Sequence, residues 1–139
     1  MNFLRMFKIF LVSYPVFTLV DFTWYGFMIS KCYHAHIGHL MRQDADLNAT
    51  MFLGLFAALA IVVMGAVVFL SHHVEKVSYP QSFVWGAFYG LVIYGGYSLS
   101  NYALLRDWPI FITVLDKGWG IIAGGFLGVF ISYLSKKVF

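Results

Sequence analysis

One uncharged apolar segment constrains the fold of this chain more than any other feature. The 23 residues from Ala49 to Ser71 read ATMFLGLFAALAIVVMGAVVFLS and contain no charged side chain. A helix of about 20 apolar residues crosses the roughly 30 Å hydrocarbon core of a bilayer, and it satisfies its own backbone hydrogen bonds there. The segment is therefore predicted to be a transmembrane helix.

The composition of the whole chain indicates the same class of protein. Hydrophobic residues make up 61% of the 139 residues, and charged residues make up 11%. Soluble domains carry about 25% charged residues, and a small domain cannot bury this much apolar surface. Soluble enzymes, disordered chains and nucleic-acid-binding proteins are excluded, although the formal net charge is +3. The chain is predicted to be an integral membrane protein whose first partner is the lipid bilayer.

Polar segments divide the chain into four apolar stretches of 21 to 25 residues, each long enough to span a membrane. Their approximate bounds are 9–30, 49–71, 82–102 and 110–134. We therefore expect an all-α fold, with residues 1–139 forming a single transmembrane domain, an integral membrane four-helix bundle. The first apolar stretch has a basic start like a signal peptide but no cleavage site, so it is expected to remain as the first span.

A short interfacial helix is expected between the first and second spans. Four apolar residues of the segment KCYHAHIGHLM recur with helical spacing on one face: Tyr33, Ile37, Leu40 and Met41. The last loop is short and ends at Pro109, a residue well suited to a helix start. This spacing predicts a tight antiparallel hairpin of spans three and four.

The distribution of basic residues predicts the orientation in the membrane. With four spans, one side of the membrane holds Arg5, Lys8, Lys76, Lys136 and Lys137. The opposite side holds Lys31, Arg42 and Arg106. Because cytoplasmic loops carry an excess of Lys and Arg, both termini are predicted to be cytoplasmic. The expected location is the cell inner (plasma) membrane, crossed several times.

The five histidines do not form a metal-binding pattern. Three of them lie in the predicted interfacial helix, and His72 and His73 end the second span on the other side. No carboxylate has the spacing of a zinc motif such as H-E-x-x-H. A single cysteine, Cys32, also excludes a cysteine-based zinc site. Neither a metal nor another cofactor is predicted.

Two aspartates within the spans are the strongest candidates for function. Asp21 lies nine residues from the outer end of span one, and Asp116 lies six residues from that of span four. These separations correspond to depths of about 13 Å and 9 Å, so the two side chains fit one layer of the bundle. Because a carboxylate facing lipid is costly, both are expected to face the interior. If they meet, their repulsion favours a shared proton.

The sequence surroundings of the two aspartates match. Trp24 and Trp119 each follow an aspartate at i+3, which places each indole on the helical face of its aspartate. The two spans run in opposite directions, as in the inverted repeats that bracket many transporter sites. Span three adds a polar face: Tyr94, Tyr97, Ser98 and Asn101. These residues can form a functional site or can simply hydrogen-bond the helices to one another. For Lys117 two partners also remain open: Asp21 across the bundle, or a lipid head group that its long side chain reaches at the membrane surface.

Glycines at helical spacing predict close helix packing. They occur at Gly86 and Gly90 in span three and at Gly120, Gly124 and Gly128 in span four. Such glycines let helix backbones approach each other, inside one bundle or between protomers. We therefore expect a homo-oligomer or a place in a larger membrane complex.

A longer motif, YSLSNYALLRDWP, begins at Tyr97, and the motif D-x-x-W-G follows from Asp116 to Gly120. With the earlier Asp21-x-x-Trp24, these residues resemble the small bacterial membrane proteins of the domain-of-unknown-function 2177 family. Its signature is approximately Y-D-L-T-N-x-A-T-L-x-x-W-P followed by D-x-x-W-G, so this chain has Ser98 in place of an aspartate. The resemblance covers nearly the whole chain. It implies four spans and a link to membrane-lipid modification.

Together these patterns predict a ligand-binding site within the membrane. Its candidate residues are Asp21, Trp24, Tyr97, Asn101, Trp108, Asp116 and Trp119, of which Trp108 comes from the family signature. We expect the site to bind a proton, a cation or a small amphiphilic ligand in a transporter-like module. The alternatives are a membrane-lipid-modifying enzyme or its accessory subunit, and a structural subunit of a larger complex. A transporter needs water at the aspartates from both sides, an enzyme needs a lateral opening to lipid, and a structural subunit needs neither.

Overall fold

Helices make up nearly the whole of residues 2–139, the part of the chain that this computed structural model describes. No strand occurs within that part. The helices are α1 (Phe3–Thr23), α2 (Ser30–Ile37), α3 (Ala49–Val74), α4 (Tyr79–Leu104) and α5 (Ile110–Tyr133). The four long helices pack beside one another, so the predicted all-α four-helix bundle is confirmed.

Capping residues explain where the later helices begin. The side chain of Asn48 accepts a hydrogen bond of 3.1 Å from the backbone N–H of Met51 and so caps α3. Ser78 and Gln81 form a reciprocal capping box at the start of α4. Pro109 directly precedes α5. The loops before α4 and α5 are therefore short, and α4 and α5 form the predicted antiparallel hairpin.

The first two helices are one continuous helical run. A π-helical segment, Trp24–Ile29, joins α1 directly to α2. The Ser30 hydroxyl donates back to the carbonyl of Gly26 at 3.2 Å, so it continues the run instead of capping a new helix. The short helix predicted after span one is present, but it is an extension of that span and not a separate element.

The predicted apolar face of α2 packs against the beginning of α5. Ile37 is buried beside Trp108 and Ile112, and Tyr33 and Met41 pack against the same cluster. Leu40, the fourth residue of that predicted face, is 43% exposed. α2 therefore covers one end of α5.

Three helical runs in the described residues are long and apolar enough to cross a membrane: Phe3–Leu40, Ala49–Val74 and Ile110–Val138. α4 is not among them, although its 26 residues equal the length of α3. Its tyrosines, serines and glycines lower its apolar character, and several of them pack along α5. A membrane crossing by α4 remains a prediction.

Glycines bring α4 and α5 into backbone contact. A Cβ added at Gly90 would lie 3.0 Å from the Cα of Gly124, and one added at Gly86 would lie 2.8 Å from the Cα of Gly128. Gly120 contacts Gly90 in the same way. The glycine pattern in the sequence is therefore used inside the bundle, between two neighbouring helices of one chain.

The bundle is closed at one end and open at the other. At the end where α1 begins and α5 finishes, the core contains Ile9, Val63, Ala66 and Ile131, and each of them is buried. The Arg5 guanidinium bonds Glu75 at 2.7 Å across this end. By contrast, the buried residues of α3 all lie from Leu59 onward. Its first half contacts α1 through the Tyr14 hydroxyl, which donates to the carbonyl of Phe56 at 3.0 Å. A cavity lies in this less buried half of the bundle.

Candidate functional site

A cavity of about 600 Å³ lies in the open half of the bundle. Helix α3 supplies four aliphatic lining residues: Leu55, Ala58, Leu59 and Val62. Helix α4 supplies Ile93, Tyr94 and Tyr97. The remaining lining residues, from the α1–α2 run and from α5, are Asp21, Phe22, Trp24, Tyr25, Tyr33, Asp116 and Trp119. The cavity has the size of a small-molecule site, and both intramembrane aspartates line it.

One oxygen of Asp21 receives both of that residue's hydrogen bonds. The Tyr94 hydroxyl donates to Oδ1 at 3.1 Å, and the indole N–H of Trp119 donates to the same atom at 2.9 Å. Among residues 2–139, no donor reaches Oδ2, and that oxygen retains accessible surface. Asp21 is therefore held in place through one oxygen, while the other is available to a bound molecule.

Asp116 is more deeply buried and fully paired. Its side chain is 5% exposed, and each of its oxygens receives one hydrogen bond. The Tyr33 hydroxyl donates to Oδ1, and the Ser98 hydroxyl donates to Oδ2 at 2.9 Å. Asp116 therefore fastens α2 and α4 to α5.

The two aspartates share the cavity but not their hydrogen-bond partners. No hydrogen bond joins their carboxylates within the described residues, so the shared proton expected from the sequence has no counterpart in the geometry. Lys117 also forms no ion pair there, and its aliphatic part lies beside Gly95 instead. Neither carboxylate that lines the cavity is neutralised by a basic side chain of the described chain.

Aromatic side chains form much of the cavity wall. The rings of Trp24 and Trp119 are stacked with centroids 4.4 Å apart and planes 1° from parallel. The rings of Tyr25 and Tyr33 meet edge to face at 5.4 Å. The two D-x-x-W motifs of the sequence thus meet across the bundle, where α1 and α5 run in opposite directions.

Several residues that line the cavity are also exposed on the surface of the bundle. They lie on α3, on α4 and on the α1–α2 run: Leu55 is 45% exposed, Ile93 37%, Tyr97 59% and Tyr25 39%. Towards the closed end, the buried core blocks any continuation of the cavity. The cavity is therefore accessible from the lateral surface of the bundle, along the apolar helices.

Two residues predicted for the site lie outside it. Asn101 is on α4 beyond the last lining residue, Tyr97. Trp108 packs with Ile37 and Ile112, and its indole N–H is buried without a partner in the described chain. Neither residue lines the cavity, and Trp108 belongs to the cluster in which α2 packs against the start of α5.

Sequence reasoning did not assign the hydroxyl of Tyr33 to the site. Tyr33 follows Asp21 by twelve residues, which in a regular α-helix turns its side chain about 120° away from Asp21. The intervening π-helical segment, Trp24–Ile29, breaks that regular spacing. No periodicity in the sequence predicts this segment, so no signal was available to place Tyr33.

Ion pairing occurs away from the cavity, at the closed end. The hydrogen bond from Arg5 lowers the pKa of Glu75 below its ordinary value. Arg5 also donates to the backbone carbonyl of Ser135, which ties α1 to the end of the chain that follows α5. These contacts stabilise the closed end. They use Arg5 there, so this basic side chain does not neutralise the aspartates of the cavity.

Comparison with known proteins supports the classification of this chain as a membrane protein. A family model described as a predicted membrane protein, DUF2177, matches residues 6–133. No curated protein and no solved structure matches the chain significantly.

Proposed function

The chain belongs to the DUF2177 family of predicted membrane proteins, and we propose that it binds a small amphiphilic molecule in the cavity beside Asp21. The polar group of the ligand lies at the free oxygen of Asp21. Its apolar chain passes between α3 and α4, against Leu55 and Ile93, towards the surrounding lipid.

One observation carries this proposal: Asp21 presents an unpaired oxygen inside a laterally open cavity. A carboxylate that only joins helices is expected to accept hydrogen bonds from the protein through both oxygens, because each such bond stabilises the contact. Asp116 meets this structural description, and Asp21 does not. A ligand that donates a hydrogen bond to Oδ2 of Asp21 completes the site.

A role in membrane-lipid modification, as an enzyme or as an accessory subunit, is the second candidate. The lateral opening favours it, since a lipid substrate enters an enzyme from the bilayer. Asp21 has one free oxygen that can accept a proton from a bound head group. A transporter-like cycle requires in addition a second conformation in which the closed end opens.

We further propose that all four long helices cross the inner membrane with both termini in the cytoplasm. The basic residues near the closed end support this orientation through the positive-inside rule. The cavity then lies in the half of the membrane facing away from the cytoplasm. Replacing Lys137 by cysteine in a Cys32→Ser background allows a membrane-impermeant maleimide to test the orientation, and labelling of intact cells would contradict it.

Assembly into a homo-oligomer or a larger complex also remains a proposal. The glycines of α4 and α5 do not support it, because they contact each other within one chain. The remaining support is the small interior of a four-helix bundle. The mass of the protein in nanodiscs tests it, and a single-protomer mass with no co-purified protein would contradict it.

The binding proposal can be tested with the tryptophans of the cavity as reporters. Of the four tryptophans, Trp24 and Trp119 line the cavity, Trp108 is buried outside it, and Trp85 is 44% exposed on the bundle surface. The Trp85→Phe protein in nanodiscs is titrated with dodecanol brominated next to its hydroxyl group, because bromine quenches tryptophan at contact. We expect saturable quenching.

Two alanines of α3 give a matched pair of variants. Ala58 lines the cavity and Ala57 does not, while both are exposed at the same depth. Ala58→Phe should fill the cavity and abolish the saturable quenching, and Ala57→Phe should retain it. Quenching that rises without saturation and is equal in all three proteins would mean that the probe only partitions into the bilayer, and would overturn the proposal.

A further inference from the structure

The charge of the cavity wall limits which amphiphiles it can hold. Fourteen residues of the described chain line the cavity; two are aspartates, and none is Lys, Arg or His. A head group bearing phosphate or carboxylate would therefore lie beside two carboxyl groups and would have no cationic partner. Ordinary anionic and zwitterionic phospholipids do not fit the site through their phosphate.

The free oxygen of Asp21 requires a donor from the ligand. The donors from Tyr94 and Trp119 both reach Oδ1 and hold the carboxylate, so Oδ2 is the atom left to accept a further hydrogen bond. A carboxylate can accept about four hydrogen bonds in total. A neutral hydroxyl would supply a donor but would leave the carboxylate charge unpaired within the bundle, which is costly.

The cavity wall also suits a cation. Seven of its fourteen residues are aromatic, including Trp24, Tyr25 and Tyr97. Aromatic ring faces attract ammonium groups, and the attraction increases where water is excluded. The aromatic wall and the free carboxylate oxygen are independent features, and both favour a positive charge.

We infer that the amphiphile bound in this cavity carries a protonated amine as its head group. The inference rests on the amphiphile site proposed above and adds the chemical class of the ligand. The ammonium donates to Oδ2 of Asp21 and lies against the aromatic wall, and its alkyl chain leaves between α3 and α4. Asp116, whose oxygens already accept from Tyr33 and Ser98, holds the site together without direct contact with the ligand.

Competition between two head groups on one alkyl chain tests the inference. Dodecylamine and dodecanol are each used to displace the brominated dodecanol probe from the Trp85→Phe protein in nanodiscs. At neutral pH an alkyl amine is protonated, as a lysine side chain is. Both head groups can donate a hydrogen bond to the Asp21 carboxylate, but only the amine also brings a positive charge to it, so we expect the amine to displace the probe at roughly tenfold lower concentration.

The variants Asp21→Asn and Asp107→Asn separate a specific site from general attraction to a negative protein. Each removes one carboxylate, but Asp107 is exposed in the loop before α5, outside the cavity. Asp21→Asn should abolish the preference for the amine, since the amide retains an acceptor for Tyr94 and Trp119 but carries no charge. Asp107→Asn should keep the preference.

The outcomes distinguish this inference from the binding proposal on which it rests. Equal displacement by the amine and the alcohol in the parent protein would leave the amphiphile site intact and overturn the amine assignment. A preference that persists in Asp21→Asn would overturn it as well. If neither compound displaces the probe and the probe does not saturate, the amphiphile site itself is wrong.

Discussion

Substitution of Gly90 by alanine should destabilise the bundle, because it places a methyl group between two backbones. The added Cβ would overlap the carbonyl oxygen of Gly120, and it would lie 2.7 Å from the carbonyl carbon of Gly120 and 3.0 Å from the Cα of Gly124. Carbon atoms pack at about 3.5–4.0 Å. All three neighbours are backbone atoms of α5, so no side chain can rotate away, and the helices have to separate.

The expected magnitude follows from two opposing contributions. Overpacking a well-packed contact costs about 1–3 kcal/mol, and rigid backbone neighbours place Gly90 at the upper end of that range. Alanine returns about 1 kcal/mol through its higher helix propensity. The net loss is therefore about 2 kcal/mol, which changes the ratio of folded to unfolded protein about 30-fold.

Gly96→Ala on the same helix is the matched control. An added Cβ at Gly96 meets no atom within 4 Å, so only the gain in helix propensity applies, and stability should stay equal or rise. The free energy of unfolding in detergent is measured by circular dichroism with increasing denaturant for both variants. If Gly90→Ala is as stable as Gly96→Ala, the close contact of α4 and α5 derived from the glycines is wrong.

Three further changes test other contacts of the structure. Tyr33→Phe removes a donor to the buried Asp116 and should cost about 1–3 kcal/mol in the same unfolding measurement; unchanged stability would refute that hydrogen bond. Trp119→Phe removes a donor to Asp21 but keeps an aromatic ring, so the probe should bind several-fold more weakly, with Trp24 as the remaining tryptophan of the cavity; an unchanged Kd would show that Trp119 does not position Asp21. Because Arg5 lowers the pKa of Glu75, the stabilisation from that pair is present above the ordinary value of 4.5 and is lost as the pH falls through the lowered pKa. Glu75→Gln should lack this loss, which for a partly exposed surface pair amounts to about 1 kcal/mol, and parallel pH profiles of unfolding would contradict the assignment.

The helices could be predicted from the sequence because their causes are local. The run from Ala49 to Ser71 has no charge, and Asn48 and Ser78 occur where helix caps are favoured. The similar depths of Asp21 and Asp116 also follow from residue counts, and both side chains line one cavity. The residues near each position in the sequence determine these features, without any contribution from distant parts of the chain.

The detailed contacts of the cavity could not be predicted, because they depend on how helices end and meet. Helical spacing placed Asn101 with Tyr97, but α2 packs over the end of α5 and the cavity stops short of Asn101. Regular α-helical spacing also directs Tyr33 and Asp21 to different faces of the helix. The π-helical segment between them changes that direction, and the Tyr33 hydroxyl donates to Asp116. Neither the packing of α2 nor that segment has a periodic signature.

The two D-x-x-W motifs match in sequence but differ in what surrounds them. Trp119 donates to Asp21 across the bundle, while in the described residues Trp24 makes no corresponding bond to Asp116. The α1–α2 run continues past its motif and supplies the Tyr33 hydroxyl to Asp116, whereas the donors to Asp21, from Tyr94 and Trp119, both reach a single oxygen. One aspartate therefore accepts through both oxygens and joins three helices, and the other keeps one oxygen for a ligand. The asymmetry arises from the extension of the first span, so a motif repeated in sequence yields one structural and one available carboxylate.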